Sequence, residues 1–267
     1  RLFVYIETNL PPHGKRGWIL AYDAGKGERR SSFSSVPSGP SVQTVMYGRG
    51  AKLWADGSYY LGGLKGDNRS GLGAYVHAGG CRCEGMWVEG KLHGQGTMEY
   101  ADGATYEGEY RDGKMQGHGT MVFADGATYD GQWRDGSFNG QGTEVFADGE
   151  RYEGEWKDGN RNGHGTYIYA SGGRYVGGWR AGHRHGRGEY VHSSGGRYVG
   201  EFKDDDFHGQ GTLKRADGSI IHSGRWEDGN PVHQNGERIH GLRTHGNAQF
   251  SDTPPNSTEA DLPIGVC

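Results

Sequence analysis

Aromatic and glycine positions recur along this chain in a fixed phase. The run Tyr106-Glu107-Gly108-Glu109-Tyr110 returns as Tyr152-Glu153-Gly154-Glu155-Trp156. Aligning the two finds units that start at Tyr60, Cys83, Tyr106, Tyr129, Tyr152, Tyr175 and Tyr198, each 23 residues after the last. An eighth start comes one residue late, at His222, and the second half of an earlier unit runs from Gly48 to Gly57. The third residue of every unit is glycine. The fifth is Leu64, Trp87, Tyr110, Trp133, Trp156, Trp179, Phe202 or Trp226. A Gly-x-Gly pair follows, as at Gly94/Gly96 and Gly163/Gly165, and an Asp-Gly or Ser-Gly turn closes the regular units, as at Asp102-Gly103 and Ser171-Gly172.

Each unit predicts a β-hairpin. In Tyr-x-Gly-x-Trp, positions one, three and five share one face of a strand, which reads aromatic, glycine, aromatic. The bare glycine leaves room for a ring from a neighbouring strand to lie on backbone. Glu153 and Glu155 point the other way. A turn such as Lys157-Asp158-Gly159-Asn160 leads to a second strand that begins near Gly-x-Gly-Thr and runs through β-formers such as Tyr167-Ile168-Tyr169. A lone hairpin is marginal, so stability must come from neighbours sharing the aromatic row. The expected fold is all-β: an elongated single-layer antiparallel sheet of tandem 23-residue hairpins. Central rings then have neighbours on both sides, so Trp133→Ala or Trp156→Ala is expected to destabilise more than Leu64→Ala or Trp226→Ala at the edges, where rings keep more water.

Composition narrows the classes. Glycine supplies 53 residues and only 32% of the chain is hydrophobic, too little for a large globular core. Yet 7 Trp and 16 Tyr speak against a disordered chain. The net charge of -4 argues against a general nucleic-acid binder. No stretch reaches the roughly 18–20 apolar residues of a membrane span. The close pair Cys81/Cys83 and the distant Cys267 do not suggest a disulfide scaffold. With Arg1 in place of an initiator Met, the chain reads as processed or incomplete, and organelle targeting stays open.

The units resemble MORN repeats, whose pattern is close to Tyr-Glu-Gly-Glu-Trp-x-x-Gly-x-x-His-Gly-x-Gly. Tyr152 to Gly165 matches it almost throughout, and the resemblance covers about residues 48–230. Cys83 and His222 depart from the first Tyr, Leu64 from the Trp and Ser70 from the His. The resemblance implies a role in docking proteins, as in junctophilins, plant phosphatidylinositol-phosphate kinases, radial-spoke proteins and apicomplexan cytoskeletal scaffolds. It also implies a cytoplasmic location that is cytoskeletal, ciliary or peripheral to a membrane.

Domain boundaries follow. Residues 1–47 form an N-terminal arm, Ser-, Gly- and Pro-rich over 24–47, with candidate strands or docking peptides at Leu2–Ile6 and Trp18–Tyr22. Residues 48–230 form the array. Residues 231–267 form a cap and a tail that holds Pro254-Pro255 and a sequon at Asn256.

Candidate chemistry is sparse. Gly-x-Gly occurs in every unit without Gly-Lys-Ser/Thr, so hairpin geometry accounts for it better than a phosphate loop. His183 and His185 share one turn and His208 holds the position of His185 one repeat on, without the close companions that a metal needs, and no nucleophile–base set stands out. No enzyme activity, cofactor or metal is therefore expected. Charge is more informative: from Cys83 to Asp158 sixteen Asp/Glu face six Lys/Arg, whereas from Gly159 to Gly200 six Arg face one acid, Glu189. Two candidate binding surfaces follow. One is the aromatic row, Tyr106, Tyr110, Tyr129, Trp133, Tyr152, Trp156, Tyr175 and Trp179. The other is a basic face, Arg161, Arg174, Arg180, His183, Arg184, His185, Arg187 and Arg197. The expected function is a non-catalytic scaffold that docks protein partners in a larger assembly. The alternatives are binding of anionic phospholipid through the arginine units, or service as an accessory domain or subunit of an enzyme complex.

Overall fold

The computed structural model describes residues 50–233 and 235–239, together with the backbone of strands at 3–8, 17–22 and 45–46. Most of the 24–47 linker, the Pro254-Pro255 tail, Asn256 and Cys267 lie outside the described residues. All regular elements described are strands, in chain order β1 (Phe3–Thr8), β2 (Gly17–Tyr22), β3 (Val45–Met46), β4 (Ala51–Leu53), β5 (Tyr59–Lys65), β6 (Asn68–Val76), β7 (Arg82–Val88), β8 (Lys91–Glu99), β9 (Thr105–Arg111), β10 (Lys114–Val122), β11 (Thr128–Arg134), β12 (Ser137–Val145), β13 (Arg151–Lys157), β14 (Asn160–Ile168), β15 (Arg174–Arg180), β16 (His183–Val191), β17 (Arg197–Lys203), β18 (Asp206–Lys214), β19 (Ile220–Glu227) and β20 (Asn230–Val232).

The described residues divide into two compact units, one of those up to 103 with 110–113, the other of 104–109 with those from 114 to 239. In the first, β3 to β8 pair antiparallel in sequence order, and β1 pairs with β2. In the second, β10 to β20 do the same. The predicted all-β architecture of consecutive hairpins is thus observed.

The turns explain the regularity. Asp158 and Gly159 both have positive φ, 47° and 81°, the two-residue hairpin turn whose twist matches its flanking strands. Asp112-Gly113 and Asp135-Gly136 repeat it. The turns between repeats are closed by an Asp carboxylate that accepts from the backbone two residues on, as Asp125 does from Ala127 (2.9 Å) and Asp148 from Glu150 (3.0 Å).

The second strand starts earlier than the sequence suggested, directly after the turn, and carries the Gly-x-Gly inside it. Gly154 lies opposite Gly165, but Glu155 lies opposite Asn162, so Gly163 and His164 bulge out. Two extra residues preserve the alternation, and residue 161 therefore faces the same side as Tyr167. The bulge amide of His164 donates to Glu155 Oε1 (2.9 Å). Glu109 and Glu201 accept likewise from His118 (3.1 Å) and Gln210 (3.2 Å). The motif's second Glu is thus an internal brace. The one-residue delay before His222 appears as a register shift between Leu213 and Lys214.

Candidate functional site

The inner face is a filled aromatic interior. Each repeat's Tyr lies along its own strand and donates to the carbonyl three residues on: Tyr129 to Gln132 (2.9 Å), Tyr152 to Glu155 (2.9 Å), Tyr175 to Gly178 (2.8 Å). Each Trp reaches back one repeat, Trp133 Nε1 to Gly119 O (2.9 Å), Trp156 to Gly142 (3.2 Å), Trp179 to Gly165 (3.3 Å). Tyr152 consequently meets two indoles edge-on, its own Trp156 (5.1 Å) and Trp179 of the next repeat (5.2 Å). A Cβ on Gly165 would meet Tyr152 Oη at 2.4 Å, so the ring needs the bare backbone. Burial lifts the Tyr152, Tyr175 and Tyr198 hydroxyls well above the ordinary phenol range. At Tyr167 the hydrogen bond to Glu150 adds to burial.

All eight members of the predicted aromatic row are buried: Tyr106, Tyr110, Tyr129, Trp133, Tyr152, Trp156, Tyr175 and Trp179. The row is a core and not an open groove, because rings of adjacent repeats fill the space that a ligand would use. The expectation of a wetter edge also fails at Trp226. It is only 1% exposed, with Tyr198, Phe207 and His222 around it and Pro231 opposite it in the short closing strand β20.

The basic face changes most. Arg161 and Arg184 are 0% and 2% exposed. Both occupy the tenth position of a repeat, where Leu92, Met115, Phe138 and Phe207 stand in other repeats and Arg69, over Tyr75 and Trp87, stands in the first. Phe138 stacks on Tyr129 at 3.6 Å, and Phe207 on Tyr198 at 3.8 Å. The Arg161 guanidinium takes that place among Trp179 (5.0 Å), Tyr167 (5.3 Å) and Tyr152 (5.9 Å). Arg184 lies 5.6–5.8 Å from Tyr175, Tyr190 and Phe202. These two arginines are interior plugs, withdrawn from any docking surface. A column that mixes Phe, Leu, Met and Arg was the signal in the sequence. Reading the tenth position as part of the turn hid it.

Arg184 brings its own counter-ion from the next repeat. Asp205 Oδ1 accepts from Arg184 Nε (3.2 Å) and from its backbone amide (2.9 Å), while the Asp205 carbonyl accepts from Nη2 (2.9 Å). Asp205 stands where Gly90, Gly113, Gly136, Gly159, Gly182 and Gly229 stand in other repeats, and it holds φ 76° to do so. His183 Nδ1 lies 2.6 Å from Asp205 Oδ2, Arg180 is 3.4 Å from Asp204, and His185 is 3.6 Å from Asp204. Arg197 pairs with Glu189 at 2.9 Å. The count of six arginines against one acid stopped at Gly200. In space the Asp204–Asp206 turn folds back over the basic hairpin. Among the described residues, Arg174 and Arg187 keep exposed heads without an ion pair.

On the outer face of β14–β18 lies an open groove of about 430 Å³. Val176 and Val199 lie along it, and Arg187, Glu189, Glu201 and Gln210 supply polar groups. Among the described residues no three His, Cys, Asp or Glu side chains gather to hold a metal, and no helix is long and apolar enough to cross a membrane.

The MORN repeat profile matches six consecutive segments, 83–105, 106–128, 129–151, 152–174, 175–197 and 198–220, more than half of the sequence. The chain belongs to the MORN-repeat family. No curated protein matches this MORN-repeat chain. Solved structures with similarity include the TCP domain of Drosophila melanogaster SAS-4 (dCPAP) in complex with a proline-rich motif of Ana2 (dSTIL). It has 12% identity and a TM-score of 0.35 over 71% of this chain and 95% of that one. The wild-type TCP10 domain of Danio rerio CPAP has 14% identity and a TM-score of 0.33 over 66% and 88%. At these scores the likeness assigns no residue or partner.

Proposed function

We propose that this MORN-repeat chain is a non-catalytic scaffold that docks a protein partner through its outer face within a larger cytoskeletal, ciliary or membrane-adjacent assembly. The observation that carries this reading is the groove over β14–β18. It is open, with two valines beside charges of both signs. Enclosed, mostly apolar cavities suit small molecules, whereas a shallow groove of mixed character suits an extended peptide. The sealed aromatic interior leaves the outer face and the turn edges for recognition. Binding of anionic phospholipid loses part of its motive, because Arg161 and Arg184 are interior and Arg180, His183 and Arg197 already face carboxylates.

The test is affinity purification of the full chain from its native source beside a Val176→Asp, Val199→Asp variant. A stoichiometric partner held by the wild type and lost from the variant, with equal melting temperatures, supports the reading. A partner retained equally by both removes the groove from it. Binding to phosphoinositide vesicles without any protein partner favours the lipid alternative.

A further inference from the structure

Three outer-face positions of the first hairpins differ from their equivalents in later repeats. At the thirteenth position of each repeat stand Gln95, His118, Gln141, His164, Arg187 and Gln210, but the first repeat has Leu72, 73% exposed. At the fourth position the second repeat has Met86, where Glu109, Gln132, Glu155 and Glu201 stand later. At the sixth it has Val88, where Arg or Lys stands in every other full repeat. Leu72 and Met86 are opposite each other across β6 and β7, Val88 follows Met86 on the same face of β7, and Leu61 lies opposite Ala74 one strand over. The result is an apolar patch at Leu72, Met86 and Val88, all exposed, edged by Glu84 opposite Ala74 and by Lys91 opposite Val88.

Within the same compact unit stands an element that needs such a surface. Of the twelve strand residues of β1 and β2, nine are apolar or aromatic. The register pairs Tyr5 with Leu20 and Ile6 with Ile19, successive pairs that belong to opposite phases of the alternation. Both phases are thus apolar, and a two-stranded ribbon of that composition is marginal without a third layer. Between Tyr22 and Val45 lie 22 residues rich in Ser, Gly and Pro. A tether of 22 residues can reach far beyond the roughly 15 Å of the three strand spacings from β3 to β6. Such a tether holds the hairpin near the patch at an effective concentration on the order of millimolar.

We infer that the β1–β2 hairpin is the occupant of the apolar patch centred on Leu72, Met86 and Val88, an intramolecular docking that covers the outer face of the first repeats. The test uses the full chain with p-benzoylphenylalanine in place of Leu72, a position open enough to take it. After irradiation of the purified protein, cross-links should map within one chain to peptides holding residues 3–8 or 17–22. The same probe at Gln95, the equivalent polar position one repeat on, should give at least fivefold fewer. Ile6→Asp with Leu20→Asp, one change in each phase, should lower the yield from position 72 at least fivefold without moving the array's melting transition. Cross-links joining two chains would overturn the inference in favour of a second copy. Equal yields at 72 and 95, or none to 3–22, would overturn it outright.

Discussion

Replacing Asp205 by Gly should destabilise the second unit, although Gly is the residue that most of the hairpin turns carry there. Two effects oppose each other. Asp205 holds φ 76°, a left-handed conformation that Gly takes without a Cβ penalty, so the turn itself gains up to about 1 kcal/mol. Against this, Arg184 is buried, and Asp205 supplies the carboxylate at its Nε and backbone amide. Removing one partner of a buried pair costs about 3–5 kcal/mol, because the remaining charge stays desolvated. The residual hydrogen bonds, to Tyr169 Oη at 3.3 Å and the carbonyl of residue 205, are to dipoles and not charges, and Asp206, which also feels the Arg184 charge, makes no hydrogen bond to it. A net loss of about 2–4 kcal/mol is expected, roughly 5–15 °C in melting temperature for a unit of this size. Combining Asp205→Gly with Arg184→Phe should recover most of the loss, since Phe fills the same column at Phe138 and Phe207. Melts of the wild type, both single variants and the double variant form the cycle, and hydrogen exchange across β15–β18 localises the effect. If Asp205→Gly melts at or above the wild type, Arg184 is held by its ring cage alone and the ionic account is wrong.

Three further outcomes are expected. Glu144 is buried in a column otherwise occupied by Tyr, Met and Leu, and both it and Arg161 act on the Tyr152 hydroxyl. Glu144→Met and Arg161→Phe should each destabilise, whereas together they should couple favourably by at least about 1 kcal/mol in a double-mutant cycle, and strict additivity would separate the two charges. Trp226→Ala should lose as much as Trp156→Ala, about 3–5 kcal/mol, and half-buried Leu64→Ala less than either, as chemical denaturation of the three would show. Raised folded-state tyrosine pKa values protect only the neutral form. Their contribution is therefore complete below about pH 10, where unfolded tyrosine begins to ionise, and is lost above it at about 1.4 kcal/mol per pH unit per residue. Phenolate absorbance rising together with loss of β signal in an alkaline titration checks this, and tyrosines ionising near pH 10 in a folded chain would refute it.

The hairpin order, the turns and the stacked aromatic row were legible because each rests on local chemistry repeated in phase: Asp-Gly for the turn, Tyr-x-Gly-x-Trp for one face. What alternation could not reveal was the bulge at Gly163-His164. It shares its Gly-x-Gly signature with a turn, so the strand start before it is hidden and Arg161 and Arg184 read as turn residues instead of members of the inward column. Charge bookkeeping along the chain failed for a different reason: antiparallel neighbours bring residue 205 beside residue 184, 21 positions away, so a window that ends at Gly200 misses the carboxylates that matter. The groove at Val176 and Val199 joins side chains from consecutive strands, and only the register places them together.

The buried arginines also bear on how the array finds its order. In a perfect repeat, a hairpin added one unit out of step would meet the same Tyr, Gly and Trp as in step, and the mispaired product would differ little in energy. Here Arg184 needs the turn that carries Asp205, and a turn such as Asp158-Gly159 leaves its charge in the interior unanswered. Arg184 thus acts as an address: a hairpin that looks interchangeable from its rings fits beside it only if its turn carries the matching carboxylate. Duplication or exchange of whole repeats, harmless where Phe or Leu fills the tenth position, is penalised at the junction of Arg184 with Asp205.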